Sequence, residues 1–268
     1  MRFPEFTEEW KKCKFGEIAT GFDYGMNAAA KPYDGQNKYI RITDIDETSS
    51  TYNNEDIVSP DGTLSENYMV NERDILLART GASTGKSYLY RKSDGKLYFA
   101  GFLIRANVAE HNPYFVFSQL HTHRYWRWVS IMSSRSGQPG INSQEYASFP
   151  IFTTTLIEEN KISTLLSLID ERIATQNKII EKLETLIKGI VETVISSQKP
   201  NTLIKNCLEC NSSTLQESQV AETGTFPVYG ATDISGYTET AGINGESILI
   251  IKDGSGVGTV KFVSGEYS

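Results

Sequence analysis

Residues 162–194 read ISTLLSLIDERIATQNKIIEKLETLIKGIVETV. Apolar side chains recur here in steps of three and four, with one extra step of four near Ile173 and polar Gln176 inside the run. This spacing is typical of a coiled-coil helix, and the extra step is a stutter in the heptad pattern. The apolar seam consists of Ile162, Leu165, Ile169, Ile173, Ile180, Leu183, Ile187, Ile190 and Val194.

The pattern predicts one long spacer or dimerisation helix over residues 156–199. Because an α-helix rises 1.5 Å per residue, a helix of about 40 residues is roughly 60 Å long. A narrow three–four seam needs a partner helix. The alternative is a core helix of a bundle, but the rest of the sequence contains no second helix of this kind.

The regions on either side of this helix share a different composition. Residues 1–155 and 200–268 are rich in glycine, threonine, serine and tyrosine, with short apolar runs that indicate strands, turns and a few helices. Residues 113–132 have helical spacing. We therefore predict an α+β fold: a first domain with a mixed twisted β-sheet and helices, the long coiled-coil-forming helix, and a partial second copy of the α+β domain.

An internal repeat supports the idea of a second copy. Residues 74–90, DILLARTGASTGKSYLY, align with residues 247–263, SILIIKDGSGVGTVKFV. Two apolar positions and two glycines are identical, and a positive charge precedes the glycine turn in both copies. The identical pairs are Ile75 and Ile248, Leu76 and Leu249, Gly81 and Gly254, and Gly85 and Gly258.

The first copy of this turn looks like a phosphate-binding loop, but its spacing is wrong. That loop needs four residues between its glycines and a helix after its lysine, whereas three residues separate Gly81 from Gly85 and a strand-like run follows Lys86. The second copy has Thr259 at the lysine position. We therefore predict a strand, a glycine turn and a strand, with Gly81 and Gly85 in backbone conformations that other residues avoid.

Charge, cysteine content and hydropathy narrow the class of protein further. The net charge is −7, but residues 73–105 hold seven Lys/Arg and only two Asp, a local excess that can bind phosphates. Cys13, Cys207 and Cys210 form no disulfide framework, and a single C-x-x-C without suitable histidines predicts no metal site. With no signal sequence and no apolar run of about 20 residues, we expect a cytoplasmic protein without a membrane span.

Taken together, several stretches resemble the specificity subunit of type I restriction–modification enzymes. They are FPEFTEEW (3–10), FGEI (15–18), YIRITDI (39–45), RDILLARTG (73–81), SGQPGIN (136–142), FPI (149–151) and ENKISTLLSLIDERI (159–173). The likeness covers residues 1–200 well and 201–268 in part. The chain departs from the family at residues 155–160, TLIEEN, where Pro-x-x-x-Glu-Gln is usual. It also departs in length, since members usually carry two complete recognition domains and two antiparallel helices.

The resemblance implies a non-catalytic subunit that reads DNA sequence. It makes residues 1–155 a first target recognition domain for half of a bipartite site, 156–199 the spacer, and 200–268 an incomplete second recognition domain. Methyltransferase subunits would dock on the helices, and a motor–nuclease subunit would join the complex. S-adenosylmethionine and ATP are expected on those partners, and no cofactor on this chain.

Side-chain chemistry gives candidate contacts to double-stranded DNA, because Arg, Lys and Gln read base edges or hold phosphates. The candidates are Arg79, Thr80, Ser83, Lys86, Arg105, Arg135 and Gln138. Arg105 has the alternative role of a strand-edge cation, and Gln138 that of a turn hydrogen-bonding residue. Trp126 and Trp128 are predicted to belong to the core rather than to stack on bases.

Two other functions remain open from the sequence alone. One is a stand-alone coiled-coil scaffold whose heads bind protein or glycan, and the other, disfavoured by the glycine spacing, is a nucleotide-binding enzyme. The length also leaves open a cut piece, a phase-variable short form, or a half-subunit. In the last case, two copies would pair antiparallel through the seam, so we expect a homodimer or a chain that is poorly soluble alone.

Overall fold

The computed structural model describes residues 2–134, 139–212, 215–230, 233–252 and 256–268. The chain divides into two compact units, Met1–Thr185 and Leu186–Ser268, with the boundary inside the long helix. Both units contain strands, and the first also contains helices, so the predicted α+β class is confirmed. The predicted three-part division stays a prediction, since the structure itself separates two units.

The strands and helices of the first unit follow one another in a mixed order. The strands are β1 (Lys11–Lys14), β2 (Thr20–Tyr24), β3 (Ala29–Pro32), β4 (Lys38–Ile40), β5 (Val58–Asp61), β6 (Asp74–Ala78), β7 (Ser87–Leu89), β8 (Leu97–Phe99), β9 (Leu103–Asn107) and β10 (Pro150–Thr153). The helices are α1 (Phe15–Ile18), α2 (Pro113–Gln119), α3 (His123–Ser133), α4 (Ser143–Ala147) and α5 (Leu156–Ser196).

The main sheet of the first unit is antiparallel, in the order β2-β9-β6-β7. Its strand β6 is buried along its whole length, which explains its unbroken apolar sequence. Because side chains alternate along a strand, Ile75 faces one apolar cluster with helices α2 and α3, while Leu76 faces a second cluster. Smaller pairs complete the unit: β4 with β8 in parallel, and β3 with β5 and β1 with β10 antiparallel.

Helices α2 and α3 divide the stretch that the sequence presented as continuous helical spacing. Asn112 caps α2 through its side chain, and Pro113 occupies the first turn, where its missing N–H costs nothing. The hydroxyl of Thr122 then accepts the N–H of Tyr125 and starts α3 as a separate helix. The break at residues 120–122 therefore comes from a new N-cap rather than from a loss of apolar pattern.

Helix α5 extends from Leu156 to Ser196, 41 residues, so the long helix is confirmed and ends three residues before the predicted boundary. Ile162 is half-buried. The other eight seam residues are 46–60% exposed. Pairing of the seam with a second helix stays a prediction. Among the described residues no helix is both long and apolar enough to cross a membrane.

In the described part of the second unit, which begins inside α5, four strands form two antiparallel pairs. Strand β11 (Phe226–Tyr229) pairs with β12 (Ile234–Thr238), and β13 (Ile243–Ile250) pairs with β14 (Val260–Tyr267). Its buried side chains include Val228, Val263 and Tyr267.

Candidate nucleic-acid interface

The glycine turn that follows β6 closes an antiparallel hairpin with β7. The N–H of Ala78 donates to Lys86 O at 2.8 Å, and the N–H of Gly85 donates back to Ala78 O at 3.0 Å. Gly81 and Gly85 have φ angles of +69° and +95°, in the region that favours glycine. The predicted strand–turn–strand is thus confirmed, and a strand rather than a helix follows Lys86, as a phosphate-binding loop would not allow.

The second unit repeats this turn in its backbone hydrogen bonds. The N–H of Ile251 donates to Thr259 O at 3.0 Å, and the N–H of Gly258 donates to Ile251 O at 2.9 Å. These residues align one for one with Ala78, Lys86 and Gly85 in the sequence repeat. The two copies therefore share the pair of backbone hydrogen bonds that closes the turn. Gly254 lies outside the described residues.

The first turn rests on two buried tyrosines. Tyr125 donates its hydroxyl to Gly85 O at 2.8 Å. Tyr146 donates to Ala78 O at 2.6 Å and accepts the N–H of Gly85 at 3.2 Å. Burial raises the pKa of both phenols, which therefore remain protonated donors. The hydrogen bonds from these two core tyrosines therefore fix the position of the turn.

Arg79, just before the turn, lies on an aromatic ring. Its guanidinium is 4.7 Å from the centroid of Tyr24, within the range of a cation–π contact. The Tyr24 hydroxyl accepts the N–H of Ser143 at 3.3 Å, and hydrogen bonding to Ser143, its side chain first and its backbone second, lowers the pKa of Tyr24. Arg79 and Tyr24 line a cleft of about 640 Å³, together with Arg41 and Phe102. The side chain of Phe102 is 58% exposed.

The segment 139–141 runs beside the turn and orders it further. The N–H of Gly81 donates to Pro139 O at 3.0 Å, and that of Ile141 donates to Arg79 O at 2.9 Å. Thr80 forms an isolated antiparallel β-bridge with Gly140. Thr80 and Ser83 are both half-buried on this surface.

The other predicted contacts fall into different settings. Lys86 pairs with Glu47 at 2.6 Å, a partner whose carboxylate is 82% exposed. Arg105 lies in β9, where it contacts Asp23 at 3.0 Å and Met69 O at 3.0 Å. Its side chain is 16% exposed and β9 is an inner strand of the main sheet, so Arg105 is a paired cation within the sheet and not the strand-edge cation of the alternative. Arg135 and Gln138 lie outside the described residues.

The two tryptophans of α3 differ from each other. Trp128 packs against Tyr125 and Phe149 and joins the core, as predicted. Trp126 is 43% exposed, so the prediction was wrong for this residue. Helical geometry explains the difference, because positions two apart face different sides of a helix.

Sequence reasoning missed Tyr24 and Phe102 as members of this surface. Tyr24 ends β2 and Phe102 lies between β8 and β9, and each is next to a glycine, Gly25 or Gly101. An aromatic residue in that setting predicts no role without its three-dimensional neighbours. Among the described side chains no group of three or more His, Cys, Asp or Glu could hold a metal ion.

The first unit thus combines an antiparallel sheet, a glycine turn with an arginine stacked on Tyr24, and a long helix with an exposed apolar seam. Residues 7–185 match the family model of the type I restriction modification DNA specificity domain. The match spans more than half of the chain, which therefore belongs to this family.

Solved structures share the fold at low sequence identity. One is the S subunit of a type I restriction–modification system from M. genitalium, with 17% identity and a TM-score of 0.59 over 97% of this chain and 70% of that one. Another is a type I system studied for its complex assembly and conformational transition, with 13% identity and a TM-score of 0.50 over 72% of this chain and 47% of that one. No curated protein sequence matched the chain.

Proposed function

We propose that this chain is the non-catalytic, DNA-reading specificity subunit of a type I restriction–modification system, and that its first unit reads one half of a bipartite site. The observation that carries the proposal is the placement of Arg79. A rigid hairpin turn holds it, and the ring of Tyr24 supports its guanidinium at 4.7 Å. Nη1 also donates to Gly101 O at 3.4 Å, and stacking of this kind leaves the other N–H groups along the edge of the guanidinium to a partner.

The chemistry of that edge suits a DNA base. Arginine donates two parallel hydrogen bonds to O6 and N7 of guanine, and one such pair discriminates bases by about 1–3 kcal/mol. Thr80 and Ser83 flank Arg79 and carry hydroxyls suited to phosphate oxygens.

Lys86 adds a positive charge that could pair with a DNA phosphate instead of with Glu47. Its ion pair with Glu47 joins a side chain that is 17% exposed to one that is 82% exposed, and a phosphate could take the place of the exposed carboxylate. The same side chain that is neutralised in the free protein would then contribute to affinity for DNA.

The partners follow from the family rather than from the site. We propose that methyltransferase subunits dock on α5, that a motor–nuclease subunit joins through the complex, and that the assembly works in the cytoplasm. S-adenosylmethionine and ATP would bind those partners. The exposed seam of α5 also suits a homodimer with two antiparallel helices.

The test is the salt dependence of DNA binding by the whole chain. Binding is measured by the fluorescence anisotropy of labelled random-sequence duplexes. Several phosphate contacts predict a steep linear fall of log affinity with log salt, with a slope of about −0.9 per phosphate. Lys86→Ala, which removes a proposed phosphate contact, should weaken binding and reduce this slope, whereas Lys12→Ala, at an exposed cation on β1, should not. No binding at low salt would favour the scaffold with protein-binding heads instead.

A further inference from the structure

The first residues of the chain form hydrogen bonds and ion pairs with the N-terminal turns of α5. Arg2 donates two hydrogen bonds to the carboxylate of Glu158, at 2.6 and 2.7 Å, and Trp10 Nε1 donates a third at 3.1 Å. One turn further along α5, Lys161 pairs with Glu5 and lies 4.5 Å from the ring centroid of Phe3. The opening motif, residues 3–10, therefore has a structural role at the helix and not at the DNA-facing turn.

The loop before α2 contacts the same part of α5 through the carboxylate of Glu159. Glu159 lies 2.9 Å from His111 Nδ1 and accepts the N–H groups of Asn112 at 2.8 Å and Thr154 at 3.2 Å. The carboxylate is fully buried. Asn112 also accepts the hydroxyl of Ser163 at 2.8 Å, one turn further along α5.

A further contact braces α5 farther out. The hydroxyl of Tyr114 donates to Asp170, eleven residues beyond Glu159. We name residues 2–10, residues 111–114 and Thr154 the collar, because together they hold the first four turns of α5 from several directions.

The collar is polar, and that distinguishes it from an ordinary packing contact. The buried residues of α5 are Glu158, Glu159 and Ser163, all of them polar. A buried carboxylate is costly unless its oxygens accept hydrogen bonds, and such bonds depend on direction. A rotation of α5 by one residue, about 100°, would leave both carboxylates without their donors, whereas an apolar contact would tolerate sliding.

We propose that the collar fixes the direction in which α5 leaves the first unit, with Glu159 as its principal positioning residue, and thereby fixes the separation between DNA half-sites that the protein accepts. The second part rests on the proposed function. From Leu156 to Thr185 the helix is about 45 Å long. A change of 10° at its base moves Thr185 by roughly 8 Å, which exceeds two base-pair steps of about 3.4 Å.

The direction is tested on the whole chain without DNA. Spin labels at exposed Glu66 and Glu184, in a chain whose three cysteines are replaced by serine, report the distance between the body of the first unit and its helix. With the labelled chain diluted into excess unlabelled chain, so that a homodimer adds no distances between copies, we expect one narrow distance distribution in the parent chain and at least a twofold broader one in Glu159→Gln. Glu110→Gln, an exposed carboxylate on the neighbouring residue to His111, is the matched control and should keep the narrow distribution.

The consequence for spacing is tested by base-resolved mapping of N6-methyladenine in cells that contain the cognate methyltransferase. The parent chain should give split motifs with one spacer length. Glu159→Gln should lower methylation at that spacing at least tenfold and add motifs whose spacers differ by one or two base pairs. If Glu159→Gln does not fold, Tyr114→Phe, which removes only the outer brace, is read in the same two assays.

The outcomes separate the two claims. A folded variant with the parent's narrow distance distribution, or with its single spacer length, overturns the collar proposal. If the parent chain itself directs no methylation, the proposed function fails, and the distance measurement still decides whether the collar sets the direction of α5.

Discussion

Gly85→Ala is the most informative single substitution in the glycine turn between β6 and β7, because Gly81→Ala supplies its control. Both glycines have positive φ angles. A Cβ on Gly85 would lie 2.8 Å from Val129 Cγ1 and 2.9 Å from Trp126 Cζ3, whereas a Cβ on Gly81 would meet nothing within 4 Å. The two substitutions therefore share the backbone strain and differ in the steric clash.

The expected cost follows from adding these two effects. Left-handed backbone costs a non-glycine residue roughly 1–2 kcal/mol, which applies to both substitutions. Overpacking of a filled site costs a further ~1–3 kcal/mol, which applies to Gly85→Ala alone. We expect Gly81→Ala to lower the free energy of unfolding by about 1–2 kcal/mol and Gly85→Ala to lower it by about 2–5 kcal/mol.

Tryptophan fluorescence during denaturant unfolding measures this difference directly. All three tryptophans of the chain lie in the first unit, so the signal reports that unit and not the second. Each kcal/mol should correspond to about 2–4 °C in melting temperature for a unit of this size. Equal destabilisation by the two substitutions would refute the view that Gly85 is required by its contact with α3.

Three further predictions concern the site and the collar. Arg79→Ala should weaken binding to cognate DNA by about 1–3 kcal/mol and relax the preference for one base, measured by anisotropy with sequence variants, while Tyr24→Leu should have the same direction and a smaller effect. The Arg2 guanidinium lowers the pKa of Glu158 from its ordinary 4.5 to about 2. The stability that this pair contributes is therefore present above pH 4.5 and lost as the pH falls toward about 2, and Arg2→Met should reduce that loss in denaturant unfolding across this range. Calorimetric titration with ATP and Mg²⁺ should give no binding heat. Binding heat that Lys86→Ala abolishes would support a phosphate-binding loop at this turn.

The features that follow local rules were predictable from the sequence. The helix α5 and the two glycine turns depend on periodicity and on backbone conformations that favour glycine, which are properties of neighbouring residues. The division between α2 and α3 was missed, because a cap such as Thr122 can also lie within a continuous helix without effect.

The parts of the site that depend on distant residues could not be predicted. The stack of Arg79 on Tyr24 joins residues 55 positions apart, and the pairing of Arg105 with Asp23 spans 82 positions. The buried carboxylates of α5 are a further case. Glu158 and Glu159 look like ordinary first-turn acids of a solvated helix, and only their distant donors reveal that they are buried.

Whether this chain directs methylation to a DNA sequence is decided by base-resolved mapping of N6-methyladenine in cells with the cognate methyltransferase, with and without the chain. We expect a split motif that appears only when the chain is present and that is lost or altered by Arg79→Ala. A palindromic motif would indicate two copies of the first unit acting as a dimer, and an asymmetric motif would indicate that a second recognition domain contributes. An unchanged methylation pattern, with the chain folded and the methyltransferase active, would contradict the claim that this chain reads DNA sequence for the system.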